Sequence, residues 1–246
     1  MLDRSTSYDV YYVPWSLGDR AEMARQAAAW LWRQPGTPLV LFPGKTNSQA
    51  DPLLNKLTKG AVVGTERNVA GSGWQRGPVL AAWPTKRGLR ILTDEIASRV
   101  TALCVMEWGE PDWQCNWLTA RKARSVIDGQ IHGGGSVELD PVVEVAIRHL
   151  SARVNHSNGL VGVFDKRDAV ETLQALHRAG YRYDIENLCT FALANGFHYG
   201  EVERIREYAE GVQAGRRFRL HAGQALRDDI VDVWKRESEK NGQPED

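Results

Sequence analysis

Two carboxylates each follow an apolar run in this chain, Glu66 after Ala61-Val62-Val63 and Glu107 after Thr101–Met106. Brought together, such a pair serves as general acid and base or holds a magnesium ion. Kept apart, each is a strand-end charge paired with Arg67 or another cation. Other polar groups recur at equivalent places. Lys45, Thr46 and Asn47 follow the run Pro38–Phe42, and Thr65 and Arg67 flank Glu66. Thr85 and Lys86 follow Val79–Trp83, and Trp108 follows Glu107. If the runs are parallel strands, their carboxyl ends gather three cations, several hydroxyls and two indoles on one edge. That mixture suits an anionic ligand with a flat ring, with Lys45, Arg67 and Lys86 meeting phosphate and Trp83 and Trp108 stacking. Trp83 and Trp108 capping a core is the competing reading.

Sharper motifs fail on spacing. Gly44-Lys45-Thr46 imitates the end of a phosphate-binding loop, but the glycine needed five residues earlier is Leu39, inside the apolar run. Gly71-Ser72-Gly73 with Gly77 precedes a strand, where a dinucleotide fingerprint must follow one. His132-Gly133-Gly134-Gly135-Ser136 reads as a flexible linker. No G-x-S-x-G elbow occurs. Cys104 falls within an apolar run and reads as core. Cys115 lies between Trp113 and Trp117 with no base nearby in sequence. The 6 histidines never pair at H-x-x-x-H spacing and no C-x-x-C occurs, so no metal site and no cofactor are expected.

The elements that would carry these groups follow from periodicity. Asp19 caps an Ala-rich helix over Arg20–Arg33, stopped by Gln34-Pro35-Gly36. Short continuous apolar runs then alternate with helical stretches at Pro52–Thr58 and Lys86–Ser98, the pattern of strands buried on both faces of a mostly parallel sheet. The runs starting at Pro38 and Pro78 echo each other, each ending in a proline with a lysine two residues on. Parallel pairing would put Lys45 and Lys86 on the same edge. Asp140-Pro141 opens a helical region. Its segments Asp165–Ala179, Asp184–Asn195 and Glu201–Ala214 are closed by Gly180, Gly196 and Gly215, and Gln224–Glu237 comes last. The expected fold is therefore an α/β domain over 1–115, a connecting segment over 116–139, a helical subdomain over 140–236 and a polar tail over 237–246. Trp30 and Trp32 are about 200° apart on their helix, so only one can face the sheet.

Composition narrows the classes. The chain has 246 residues, 42% of them hydrophobic and 25% charged, with zero formal net charge. That is ordinary globular material, long enough to bury a core without staples. Of 9 tryptophans only Trp234 lies beyond residue 117. No apolar run reaches a membrane span, and Met1–Ser7 lack the apolar core of a signal peptide. With 3 scattered cysteines, a cytoplasmic setting is the expectation. Glu201, Glu203, Glu207 and Glu210 make the segment after 200 a poor DNA-reading helix, and Arg216-Arg217-Phe218-Arg219 with His221 is a short basic cluster. Three functions remain open. One is binding of a nucleotide-like or phosphorylated aromatic ligand, with Glu66 or Glu107 as acid or base for transfer or hydrolysis at a phosphate or glycosidic centre. The second is a protein-interaction module using the helical half. The third, nucleic-acid binding, is disfavoured by the charge but stays open.

Overall fold

A computed structural model describes residues 8–109, 112–135, 137–220, 223 and 226–241. His221 and the start of the last expected helix at Gln224 lie outside them. The described residues divide into two compact units, one ending at 135 and one beginning at 137.

The first unit is an α/β layer. Its strands are β1 (Asp9–Val13), β2 (Leu39–Phe42), β3 (Val62–Thr65), β4 (Gly77–Ala81), β5 (Val100–Met106) and β6 (Arg124–Ser125), in the order β3-β2-β4-β5-β1-β6. Each of the strand pairs is parallel, and Arg124 of β6 also makes an antiparallel bridge to Ile131. The expected fold class is what forms. Leu39–Phe42 and Gly77–Ala81 are buried along their whole length, which is why they read as unbroken apolar runs. Side chains alternate between faces. Val40, Phe42, Leu80, Ala82, Cys104 and Met106 share one core with Met23, Ala27, Trp30 and Leu31 of helix α1 (Arg20–Arg33). Each large apolar side chain so buried stabilises the fold by about 1.5–3 kcal/mol.

The echoing runs lie side by side in register, Leu39 against Val79 and Leu41 against Ala81, so Lys45 and Lys86 do leave the same edge. Trp30 is buried against the sheet, and Trp32 is exposed on the other side of α1 with its indole N–H donated to the Leu57 carbonyl, 2.8 Å.

Three local features differ from expectation. The stretch Lys86–Ser98 is not one helix but α4 (Lys86–Arg90), a wide π turn over Ile91–Glu95 and a 3-10 turn over Ala97–Arg99. Thr93 Oγ1 bonds back to the Leu89 and Arg90 carbonyls, an alternative that competes with the regular ladder. Strand β1 carries no apolar run, because its Tyr11 and Tyr12 are half-buried and Asp9 is exposed. The segment expected as a connection, 116–139, holds the end of α5 (Asp112–Ala120) and all of β6, and so completes the sheet.

The second unit is helical: α6 (Pro141–Arg153), α7 (Val163–Arg178), α8 (Ile185–Ala194), α9 (Tyr199–Gln213) and α10 (Ile230–Asn241). Asp140 caps α6 at Val142 N and Asp184 caps α8 at Asn187 N. Helix α9 packs on α7 and α8, and α10 packs on α6. There the buried Trp234 donates its indole N–H to His149 Nδ1, 3.0 Å.

Candidate functional site

At the β3 end, Glu66 is buried and fully engaged. Thr85 donates to it twice, from its backbone N at 2.8 Å and from its hydroxyl at 2.5 Å. Gly88 packs directly on the carboxylate, at a point where any Cβ would collide with it. Glu66 thus ties the end of β3 to the first turn of α4. Lys45, Thr46, Arg67 and Lys86 are exposed around it. Lys45 and Thr46 open α2 (Lys45–Gln49), and Lys86 opens α4.

Glu107 stands elsewhere on the edge. The order β3-β2-β4-β5 puts three strand spacings, about 14 Å, between the two carboxylates. They do not form an acid/base pair or share a cation. Among the described residues no cluster of histidine, cysteine and carboxylate side chains suits a metal ion.

The two indoles also part company. Trp83 is only 3% exposed, inside the core, with positive φ (49°) and the Arg20 guanidinium 4.6 Å from its ring centroid. Trp108 is 41% exposed and donates its indole N–H to the Trp83 carbonyl, while its backbone N–H goes to Gln114 Oε1 at 2.8 Å.

Around Glu107 the fold assembles a group that sequence spacing did not reveal. One carboxylate oxygen accepts from Trp15 N at 2.7 Å, the other meets His132 Nε2 at 3.0 Å. The other ring nitrogen of His132, Nδ1, is 2.9 Å from Thr119 Oγ1 on α5. Cys115 lies one turn earlier on that helix, on the same face as Thr119. It too bears on the imidazole. Burial by itself would lower the His132 pKa, but hydrogen bonding and charge from Cys115 and Glu107 override it and raise the value to about 9. The Tyr12 ring meets the imidazole edge-on, centroids 5.0 Å apart.

Local structure explains how His132 arrives there. After α5 the chain pairs with β1 as β6, turns at Asp128-Gly129 and comes back. Ser125 N bonds Gln130 O, and His132 N bonds Ala123 O. The glycines that follow are no linker. Gly133 and Gly134 hold φ of 64° and 70°, and a Cβ on Gly133 would sit 2.6 Å from Thr119 Oγ1. They make a tight left-handed turn against α5. A signal was present in the sequence: Asp-Gly between Val126-Ile127 and Ile131 is hairpin chemistry.

A second histidine–carboxylate pair lies in the helical unit. Glu201, buried at α9, bonds His156 Nδ1 at 2.9 Å and accepts from His198 N at 2.7 Å. His156 Nε2 faces the Ser151 carbonyl at 2.8 Å, and the Ser151 hydroxyl is donated to Asn195 O. Both ring nitrogens face acceptors, so this resembles a serine triad in composition only and serves as a cross-brace. In the basic cluster, Arg216 reaches Glu207 and covers the Phe218 ring.

No curated protein and no solved structure matches the chain. Residues 139–235 match the model of a family described as a domain of unknown function (DUF1889), a span within the helical unit that leaves the sheet and the Glu107 group outside it.

Proposed function

We propose that the sheet-bearing unit binds a nucleotide-like or otherwise phosphorylated aromatic ligand across the carboxyl ends of its strands, in a cytoplasmic setting. One observation carries this reading. Strands β2 and β4 are neighbours whose outgoing connections run to opposite sides, β2 to β3 and β4 to β5. Such a switch in strand order is where open α/β sheets take ligands. Lys45 and Lys86 stand on its two sides, with Thr46 and Arg67 beside them and the half-exposed Trp108 one strand further. In this reading Trp83 acts from beneath, its carbonyl orienting the Trp108 indole for stacking. The test is a thermal-shift panel of nucleotides and sugar phosphates. A rise in midpoint that Lys45→Ala with Lys86→Ala removes supports the reading; no rise across the panel, or a rise that survives both substitutions, overturns it.

A second reading rests on the helical unit. Val161, Val163 and Phe164 are exposed together at the start of α7, Phe164 at 65%. An apolar patch of this kind suits a protein partner. Concentration-dependent mass in solution that Phe164→Ser abolishes would favour it. Steeply salt-dependent binding to random DNA or RNA would instead promote the nucleic-acid alternative.

A further inference from the structure

The row Cys115–His132–Glu107 has the composition and order of an activated nucleophile: thiol, imidazole, orienting carboxylate. We propose that Cys115 is a catalytic nucleophile that accepts the acyl group of an ester, thioester or amide, with His132 holding and returning the proton and Glu107 and Thr119 as positioning residues. The proposal does not depend on the phosphate-ligand reading.

The geometry distributes the roles. A carboxylate only accepts, so Glu107 fixes the Nε2–H side of the ring, and its second oxygen is held by Trp15 N. The Nδ1 side is turned to α5, where Thr119 stands with Cys115 one turn before it. Burial alone would lower the His132 pKa, and Cys115 and Glu107 acting on the ring hold it up. The other two cysteines are different. Cys104 and Cys189 are buried, and burial pushes both thiols up, Cys189 to about 12. Cys115 is partly exposed.

A second, independent feature stands beside it. Gln114, the residue before Cys115, is buried with its Oε1 held by Trp108 N, and its Nε2 has no hydrogen-bond partner. A buried donor without an acceptor is costly. In this proposal it turns to the oxygen that becomes negative as the acyl carbon turns tetrahedral, once the side chains that now cover it give way. Trp15 and Trp108 are half-exposed at the same strand ends and suit an aromatic group on the substrate.

The chemistry balances with water as the only co-reactant. The Cys115 proton has already passed to His132, whose raised pKa holds it at neutral pH, and the sulfur bonds to the acyl carbon. The bond from that carbon to the leaving oxygen, sulfur or nitrogen breaks, and the leaving group takes the proton from His132. Water then attacks the acyl-sulfur bond and gives a proton to His132. His132 keeps that proton as the thiolate departs and the carboxylic acid is released.

The test uses the full chain and no phosphorylated compound, so its failure is distinct from failure of the ligand reading. Iodoacetamide at neutral pH, with mass mapping, is expected to label Cys115 first and about tenfold faster than it labels glutathione. p-Nitrophenyl acetate is expected to give a burst of nitrophenol and an acetyl adduct on Cys115, both lost in Cys115→Ser. In Glu107→Gln the upper inflection of the alkylation pH profile should move to lower pH, which a purely structural role for Glu107 would not produce. Labelling of wild-type Cys115 no faster than glutathione, or an acetyl adduct formed elsewhere, overturns the proposal without reliance on any variant's folding.

Discussion

His132 Nε2 lies 3.0 Å from Glu107 Oε1, although 25 residues separate them. Tyr12, Cys115 and Thr119 also face this imidazole. The contact links the sixth strand's hairpin to the end of the fifth strand, and its strength depends on the proton that the ring carries.

Stability is therefore expected to fall on the alkaline side. The ordinary His pKa is 6.5 and the folded value about 9, so the native state binds more protons between the two. The contribution is complete below about pH 6.5 and disappears as pH rises through about 9. Tyr12 is also raised, first by burial and then by Glu107 and Asp128, so the useful quantity is a difference. Melting temperatures of wild type and His132→Gln measured across this range should converge as pH increases. Parallel curves would count against the pairing.

Gly133→Ala should unfold the turn that presents His132. The positive φ and the 2.6 Å approach to Thr119 Oγ1 act together, and the expected loss is about 1–3 kcal/mol. Urea denaturation measures the loss. Gly129→Ala, where a Cβ meets nothing within 4 Å, shares only the backbone strain and is the control.

Glu66→Ala leaves the Thr85 N–H and hydroxyl without their acceptor at the start of α4. A loss of about 1–3 kcal/mol is expected, with amide exchange quickening first over residues 85–90. An unchanged denaturation midpoint would remove the bracing role.

Glu201→Ala takes away the partner of His156 in the interior of the helical unit. Breaking a buried pair of this kind costs about 3–5 kcal/mol, and Glu201→Gln should cost less because the amide still accepts from His198 N. Chemical denaturation of the two variants, side by side, checks the order.

Much of the scaffold was legible locally. Asp19 and the Ala-rich run predict α1 over Arg20–Arg33, the range that forms. Gly180, Gly196 and Gly215, expected to close three helices, all have positive φ. Strand β1 was not legible, because a strand covered on one side by only two residues of β6 keeps mixed tyrosines instead of an apolar run. Glu66 and Glu107 were visible as strand-end carboxylates, but no local pattern indicates that two other strands lie between them.

The chain by itself marked strands β2 to β5 and helices α1 and α6 to α9, because propensity, capping and burial of a face act over a few residues, whereas β1, α5 and β6 carried no such mark. The excess of tryptophan in the first half was likewise plain from sequence. Tertiary structure decided that Trp83 is core while Trp108 is half-exposed, and that Cys115, His132 and Glu107 meet. Periodicity reports that a face is buried, not which strand lies beside it. The meeting depends on strand order and on one glycine-bound turn, both set by packing between distant parts of the chain.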